Sequence, residues 1–240
     1  STPDEEESLD YLCGLRMPII KIGSGDSNNI PLIAYAAKKK RPVILSTGMC
    51  DLKDVAEAVK AVKAAGNNEI ALMHCTTEYP APFSELNLKA MATLAKKFGL
   101  PVGYSDHTAG IEASIAAVAM GAKIIEKHFT LDKNMKGPDH KASLSADELK
   151  QLVKAVRNIE LSVGTGIKRA SPSEKRNMCA ARKSLVASRQ INKGDIIGAG
   201  DVDIKKPGSG IEPKYLKEVI GKTAKKGIKT DGVITWGKIR

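Results

Sequence analysis

What most constrains this chain is a rhythm. Five short β-rich runs, Pro18–Ile22, Pro42–Leu45, Glu69–Met73, Pro101–Tyr104 and Lys123–Lys127, end roughly 23–31 residues apart, with helical patterns between them. That interval fits one crossover helix per strand, and so a parallel α/β sheet. Asp51–Ala65 puts Val55, Ala58, Val59 and Val62 on one face, with Asp51 as N-cap. Leu86–Phe98 and Ile111–Met120 read similarly, and Ser145–Glu148 has the form of a capping box ahead of a Leu149–Val163 helix.

Two architectures compete. A doubly wound sheet concentrates ligand groups at its switch point, whereas a (β/α)8 barrel rings its C-terminal mouth with them. Here every strand ends in polar chemistry: Lys21–Asp26, Ser46-Thr47, His74–Thr77, Ser105–His107 and Glu126–His128. The barrel is the better fit. Only five strands are present, with a sixth expected to end at Ser1-Thr2, so the expectation is a TIM (β/α)8-type barrel lacking its first strands, with two unpaired sheet edges.

The charge pattern divides the chain. Of the +11 net charge, residues 1–165 contribute nothing, with 20 basic and 20 acidic groups, and residues 166–240 carry all of it. Residues 1–164 read as the partial barrel, 165–179 as a polar linker, and 180–240 as a small β-rich domain with strands at Ser184–Val186, Ile191–Ile196, Val202–Lys205 and Gly227–Trp236. The basic segment carries only Tyr215 and Trp236 as aromatics and no RNA-binding stacking motif, so nucleic acid is not the expected partner. No apolar run is long enough to span a membrane. Cys13, Cys50, Cys75 and Cys179 are far apart, which fits reduced thiols and a cytoplasmic location.

Several strand-end residues invite chemistry. His107 and His128 fall at the ends of adjacent strands, where two neutral imidazoles can share a divalent cation; hydrogen-bonded strand-end histidines are the alternative. Thr2, Lys21, Ser24, Ser46 and Ser105 would cradle a phosphate or carboxylate. Taken singly, such hydroxyls more often cap helices. A lysine inside a strand is an expensive placement that shifts the balance toward anion binding. Asp26 and Asp139 could move a proton or hold sugar hydroxyls, or serve only as turn residues. His74 has no clear facing, and His140 falls in a loop. Gly23-Ser24-Gly25 lacks the third glycine of a dinucleotide fingerprint, and no P-loop or nucleophile elbow occurs.

Lys21-Ile22-Gly23-Ser24-Gly25-Asp26, Leu45-Ser46-Thr47-Gly48-Met49, His74–Pro80, Ser105–Thr108, Glu126–Phe129 and Gly137–His140 together resemble the sialic acid synthases. Lys193-Gly194-Asp195 and Lys206–Ile211 look like their appended antifreeze-like (SAF) domain. The resemblance implies a TIM barrel plus a β-clip SAF domain, in a homodimer where the small domain caps the partner's site. It also implies condensation of phosphoenolpyruvate with N-acetylmannosamine or a related N-acyl amino sugar to a sialic acid and phosphate; legionaminate or pseudaminate synthesis is the close alternative.

Carried over, His107 and His128 would hold Mn2+ or Mg2+. Thr2, Lys21, Ser24, Ser46 and Ser105 would bind phosphoenolpyruvate, and Asp26 and Asp139 would be the catalytic carboxylates. Thr77, Tyr79 and Lys206 would meet the sugar. Asp26 stands where many members carry Glu, and Lys206 where they commonly carry Arg, losing the planar two-pronged donor. An active-site Glu and a phosphoenolpyruvate-binding Lys of the family's first strands have no counterpart here. The resemblance is therefore to an amino-terminally truncated synthase, and a non-catalytic remnant that only binds ligand or partner is the competing expectation.

Overall fold

The computed structural model describes residues 1–240, which form two compact units, 1–166 and 167–240. The first unit opens with α1 (Glu6–Gly14) and then alternates β1 (Ile20–Ile22), α2 (Ile30–Lys38), β2 (Val43–Ser46), α3 (Leu52–Ala64), β3 (Ile70–His74), α4 (Ala90–Phe98), β4 (Val102–Asp106), α5 (Glu112–Ala119) and β5 (Ile125–Lys127), followed by α6 (Ala146–Val163). All four strand pairings are parallel, and the strands lie in sequence order.

That order decides the architecture. A doubly wound sheet reverses its strand order, and this one does not. In a flat sheet the outermost strands, β1 and β5, would stand about 19 Å apart at ordinary strand spacing. Yet Lys21 of β1 reaches Glu126 of β5 at 3.4 Å. The sheet is curled into a half-barrel. At the other side of β1, Ser1 lies where the expected strand would end: its amino group donates to the Ile19 carbonyl at 3.4 Å and its carbonyl accepts from the Lys21 N–H at 2.9 Å, the bonding pattern of a parallel neighbour.

Strand alternation separates two jobs. Ile20, Ile22, Val43, Leu45, Ile70, Leu72, Val102 and Tyr104 are buried in one core with Leu9, Ile33, Val59, Val62, Leu94 and Ala117 of the helical layer. The intervening residues Lys21, Ser46, Ser105 and Glu126 face the inside of the arc, where they line a common cavity.

Local chemistry explains the helix ends. The Asp51 carboxylate accepts from the Lys53 and Asp54 N–H groups, and Asp54 answers from the third position, closing a capping box on α3. Ser145 and Glu148 do the same for α6, as the sequence suggests. The helix expected from Leu86 begins only at Ala90, because Asn87 takes φ 44°, a left-handed conformation that α-helix cannot contain. No helix is long and apolar enough to cross a membrane.

In the second unit, α7 (Pro172–Ala181) runs through the stretch read as polar linker, capped by a Ser171–Glu174 box. Strands β6 (Ser184–Ala187) and β7 (Val202–Lys205) pair antiparallel, and α8 (Leu216–Val219) is a single turn. The strands expected at Ile191–Ile196 and Gly227–Trp236 appear only as isolated bridges, among them Ile191 with Ile228 and Val186 with Val233. Gly194 turns at φ 96° in the Lys193-Gly194-Asp195 bend. Leu185, Ile191, Ile197, Ile211, Ile228, Ile234 and Ile239 supply the core.

Candidate active site

The C-terminal ends of β1 to β5 converge on a cavity of about 190 Å³. Its wall includes Lys21, Ser24, Ser46, Thr77, Tyr79, Ser105, His107 and His128 from the sequence-derived set, together with Cys75 and Glu126. Four expected members lie outside that wall. Thr2 packs its methyl group near Gly23, 3.6 Å from where a Cβ would stand. Asp26 accepts from the Asn29 side-chain amide at 3.2 Å. Asp139 places an oxygen 3.7 Å from His128 Nδ1. Lys206 is exposed just beyond β7 in the other unit.

Glu126 is the residue that sequence reasoning passed over. Its Oε1 accepts from the Ser105 hydroxyl at 2.7 Å and pairs with Lys21 at 3.4 Å, so it ties both outer strands to the same point. The signal was present: two residues before His128 on one strand, it must share His128's face.

His107 and His128 stand with ring centres 5.5 Å apart and nearly perpendicular. The Tyr79 ring lies 4.3 Å from the first and 5.3 Å from the second. His107 Nδ1 is 2.7 Å from the Thr76 carbonyl, which only accepts, so the ring proton sits on Nδ1 and Nε2 presents its lone pair. Burial drives the His107 pKa down, outweighing the Thr76 bond, which raises it; the shift favours the neutral ring. Ser105 Oγ lies 3.2 Å from that lone pair, but its single proton can serve either His107 or Glu126, not both. Nε2 is thus free to take another partner whenever Ser105 turns to Glu126.

This donor set fits a divalent cation. A metal bonded at about 2.1 Å to one nitrogen of each of two rings puts the ring centres roughly 4.5–5.5 Å apart, as found here. No group of three or more His, Cys, Asp or Glu side chains gathers around a common point. The remaining positions would belong to water or substrate, the arrangement of a catalytic rather than a structural site.

The hydroxyl-bearing side of the cavity is polar and under-satisfied. Ser46 Oγ and Thr77 Oγ1 are buried without a hydrogen-bond partner. Ser24 Oγ accepts from the Gly48 N–H at 3.1 Å and touches Cys75 Sγ at 3.2 Å. Buried hydroxyls with nothing to bond are costly unless a ligand completes them.

The other two histidines lie outside this cavity. His74 Nε2 bonds the Leu86 carbonyl at 2.7 Å, and His140 Nδ1 meets the Thr130 hydroxyl at 2.7 Å. A larger cavity of about 660 Å³ opens between the starts of α3 and α4. It shares Cys75 and Thr77 with the smaller one, but neither of the paired imidazoles reaches it.

Comparison with known proteins identifies the family. Residues 1–168 match the model of the NeuB family, and residues 182–240 that of the SAF domain. An N,N'-diacetyllegionaminic acid synthase of Campylobacter jejuni is 51% identical over 236 residues, 98% of this chain and 71% of the relative. Another, from Legionella pneumophila, is 42% identical over 243 residues, covering 100% of this chain and 68% of the relative. The crystal structure of an N-acetylneuraminic acid synthetase from Leptospira borgpetersenii superposes with a TM-score of 0.69 at 38% identity, over 73% of this chain and 61% of that one. The resemblance read from the motifs therefore holds: the chain belongs to the NeuB family of sialic-acid-type synthases, which are transferases, and carries a SAF domain.

Proposed function

We propose that this chain condenses phosphoenolpyruvate with an N-acylated amino sugar aldehyde and water, giving a nine-carbon keto acid and phosphate. One observation carries the reading: two imidazoles, one ammonium and three serine hydroxyls from the ends of four strands, β1, β2, β4 and β5, meet in a single cavity. Lys21 and the hydroxyls of Ser24, Ser46 and Ser105 bind the phosphate and carboxylate, and Thr2 supports them from beside Gly23. Ser46 Oγ, buried and unpartnered, gains a bond only when an anion arrives.

His107 and His128 would hold Mn2+ or Mg2+, which would supply Lewis acidity for addition to the sugar aldehyde. Tyr79 and Thr77 flank the sugar. Asp139 orients His128, and Asp26 faces the sugar from beyond β1. Glu126, the carboxylate on the cavity wall itself, accepts the Ser105 hydroxyl's hydrogen bond and balances the Lys21 charge. Lys206 as a sugar contact, a capped homodimer and a cytoplasmic location enter through the family resemblance alone.

Among acceptors, the identities favour one bearing two N-acetyl groups over N-acetylmannosamine, since both relatives quoted above at 51% and 42% are diacetyllegionaminic acid synthases. The test is phosphate release with Mn2+, phosphoenolpyruvate and each acceptor in turn. Release is expected, faster with the diacetylated sugar. Absence of release with every amino sugar tried would refute the reading.

A further inference from the structure

Behind the paired imidazoles, on the opposite face of β4 and β5, lies a buried ion pair with no place in the chemistry above. Lys127 Nζ is 3.1 Å from Asp106 Oδ2, and the side chains are 3% and 0% exposed. Asp106 also accepts from the Ser114 hydroxyl at 2.6 Å and from the Thr108 N–H and hydroxyl at 2.9 and 2.8 Å. Lys127 donates to the Thr108 carbonyl at 2.5 Å. One knot thus joins the end of β4, the end of β5, the loop after β4 and the side of α5.

Burying two charges rarely stabilises a fold as much as apolar packing of the same volume would. Position explains the expense better. Asp106 and Lys127 are the last register partners of the β4–β5 ladder. His107 and His128 are the next residues along each strand, past the last β4–β5 pairing; their carbonyls accept instead from the Ala81 and Leu144 N–H groups, which do not join the two strands to each other. The knot is the final cross-strand tie before the two rings.

We propose that Asp106 and Lys127 are positioning residues that set the distance between the His107 and His128 imidazoles, and through it the affinity for a divalent cation. The cation part rests on the functional reading above; the ring distance does not.

The experiment uses the full chain with Asp106→Asn and Lys127→Met together, which removes both charges at similar volume and so avoids stranding one of them. Mn2+ affinity is read from the electron paramagnetic resonance of free Mn2+, and phosphoenolpyruvate affinity by calorimetry. Ring-to-ring NOEs are recorded on 13C-histidine-labelled, metal-free protein, which carries only four histidines. Expected are Mn2+ binding about 10–100-fold weaker, as for other residues that orient metal ligands, phosphoenolpyruvate affinity within about twofold, and loss of the His107–His128 NOE. A folded double variant that keeps both its Mn2+ affinity and that NOE overturns the proposal. If the unaltered chain binds no Mn2+, the metal reading falls, and the NOE alone decides the positioning role. Should the double variant not fold, Ser114→Ala, which removes only the 2.6 Å bond to Asp106, carries the test: a few-fold loss of Mn2+ affinity with shifted ring resonances supports the proposal, and no change in either overturns it.

Discussion

Gly48 offers the sharpest test of how the anion side is built. A Cβ added there would stand 2.2 Å from Thr77 Oγ1, 2.7 Å from Ser24 Oγ and 3.0 Å from Cys75 Sγ. The first two distances lie far inside van der Waals contact, so in Gly48→Ala both hydroxyls must leave their places. Ser24 would also lose the 3.1 Å bond from the Gly48 N–H. Overpacking of this kind costs about 1–3 kcal/mol, or roughly 2–10 °C in Tm for a unit of this size. Of the two, Ser24 is the one read as a phosphoenolpyruvate contact, and losing its bond to that anion would cost about 1.5–3 kcal/mol, roughly a 10- to 150-fold loss of affinity. Scanning calorimetry reads the first effect, and titration with phosphoenolpyruvate the second. Gly25 lines the same cavity, but its Cβ would meet nothing within 4 Å, so Gly25→Ala should leave Tm unchanged. If Gly48→Ala matched the unaltered protein in both Tm and phosphoenolpyruvate affinity, the convergence of hydroxyls on this glycine would be refuted.

Two further outcomes follow from burial. Tyr104 is fully buried and its hydroxyl has no partner, so Tyr104→Phe should be neutral or stabilising by up to about 1 kcal/mol in urea denaturation; a clear loss of stability would contradict that. Burial pushes the half-buried Cys50 thiol above its ordinary pKa, which disfavours the reactive thiolate in the folded protein. At pH 8, iodoacetamide should therefore label exposed Cys179 first and Cys50 slowly, with Cys50 catching up as pH rises toward 10 or as the protein unfolds. Peptide mass mapping that found Cys50 labelled as fast as Cys179 would count against this.

Much of the first unit was legible because its signals are local. The individual strand runs, the Asp51 and Ser145 caps and the polar strand ends each depend on residues within one or two turns of each other, and each appears where the pattern places it. The choice of barrel over open sheet was legible only as a preference, since strand order is a long-range property. The Lys21–Glu126 contact that settles it joins residues 105 positions apart. Glu126 was missed for a related reason: a carboxylate beside two candidate ligands looks like one more charge until the alternation of β5 is fixed. The small domain was harder to read. Its apolar residues do alternate, but beyond the one β6–β7 ladder they form a core held by single bridges and turns, and no sequence period distinguishes the two.

The alternation along β4 and β5 also bears on how such a chain can change over time. On β4 and just past it, Ser105 and His107 serve the cavity while Asp106 serves the fold; on β5, Glu126 and His128 flank Lys127 in the same way. Point substitutions can alter one face and leave the other alone, so acceptor preference can drift without touching the scaffold. Insertion or deletion of a single residue before either strand end exchanges the two faces at once. It would turn an imidazole into the core and a buried charge toward the substrate. Length variation among related chains should accordingly collect in the loops after the strands and avoid the dozen or so positions that lead into them.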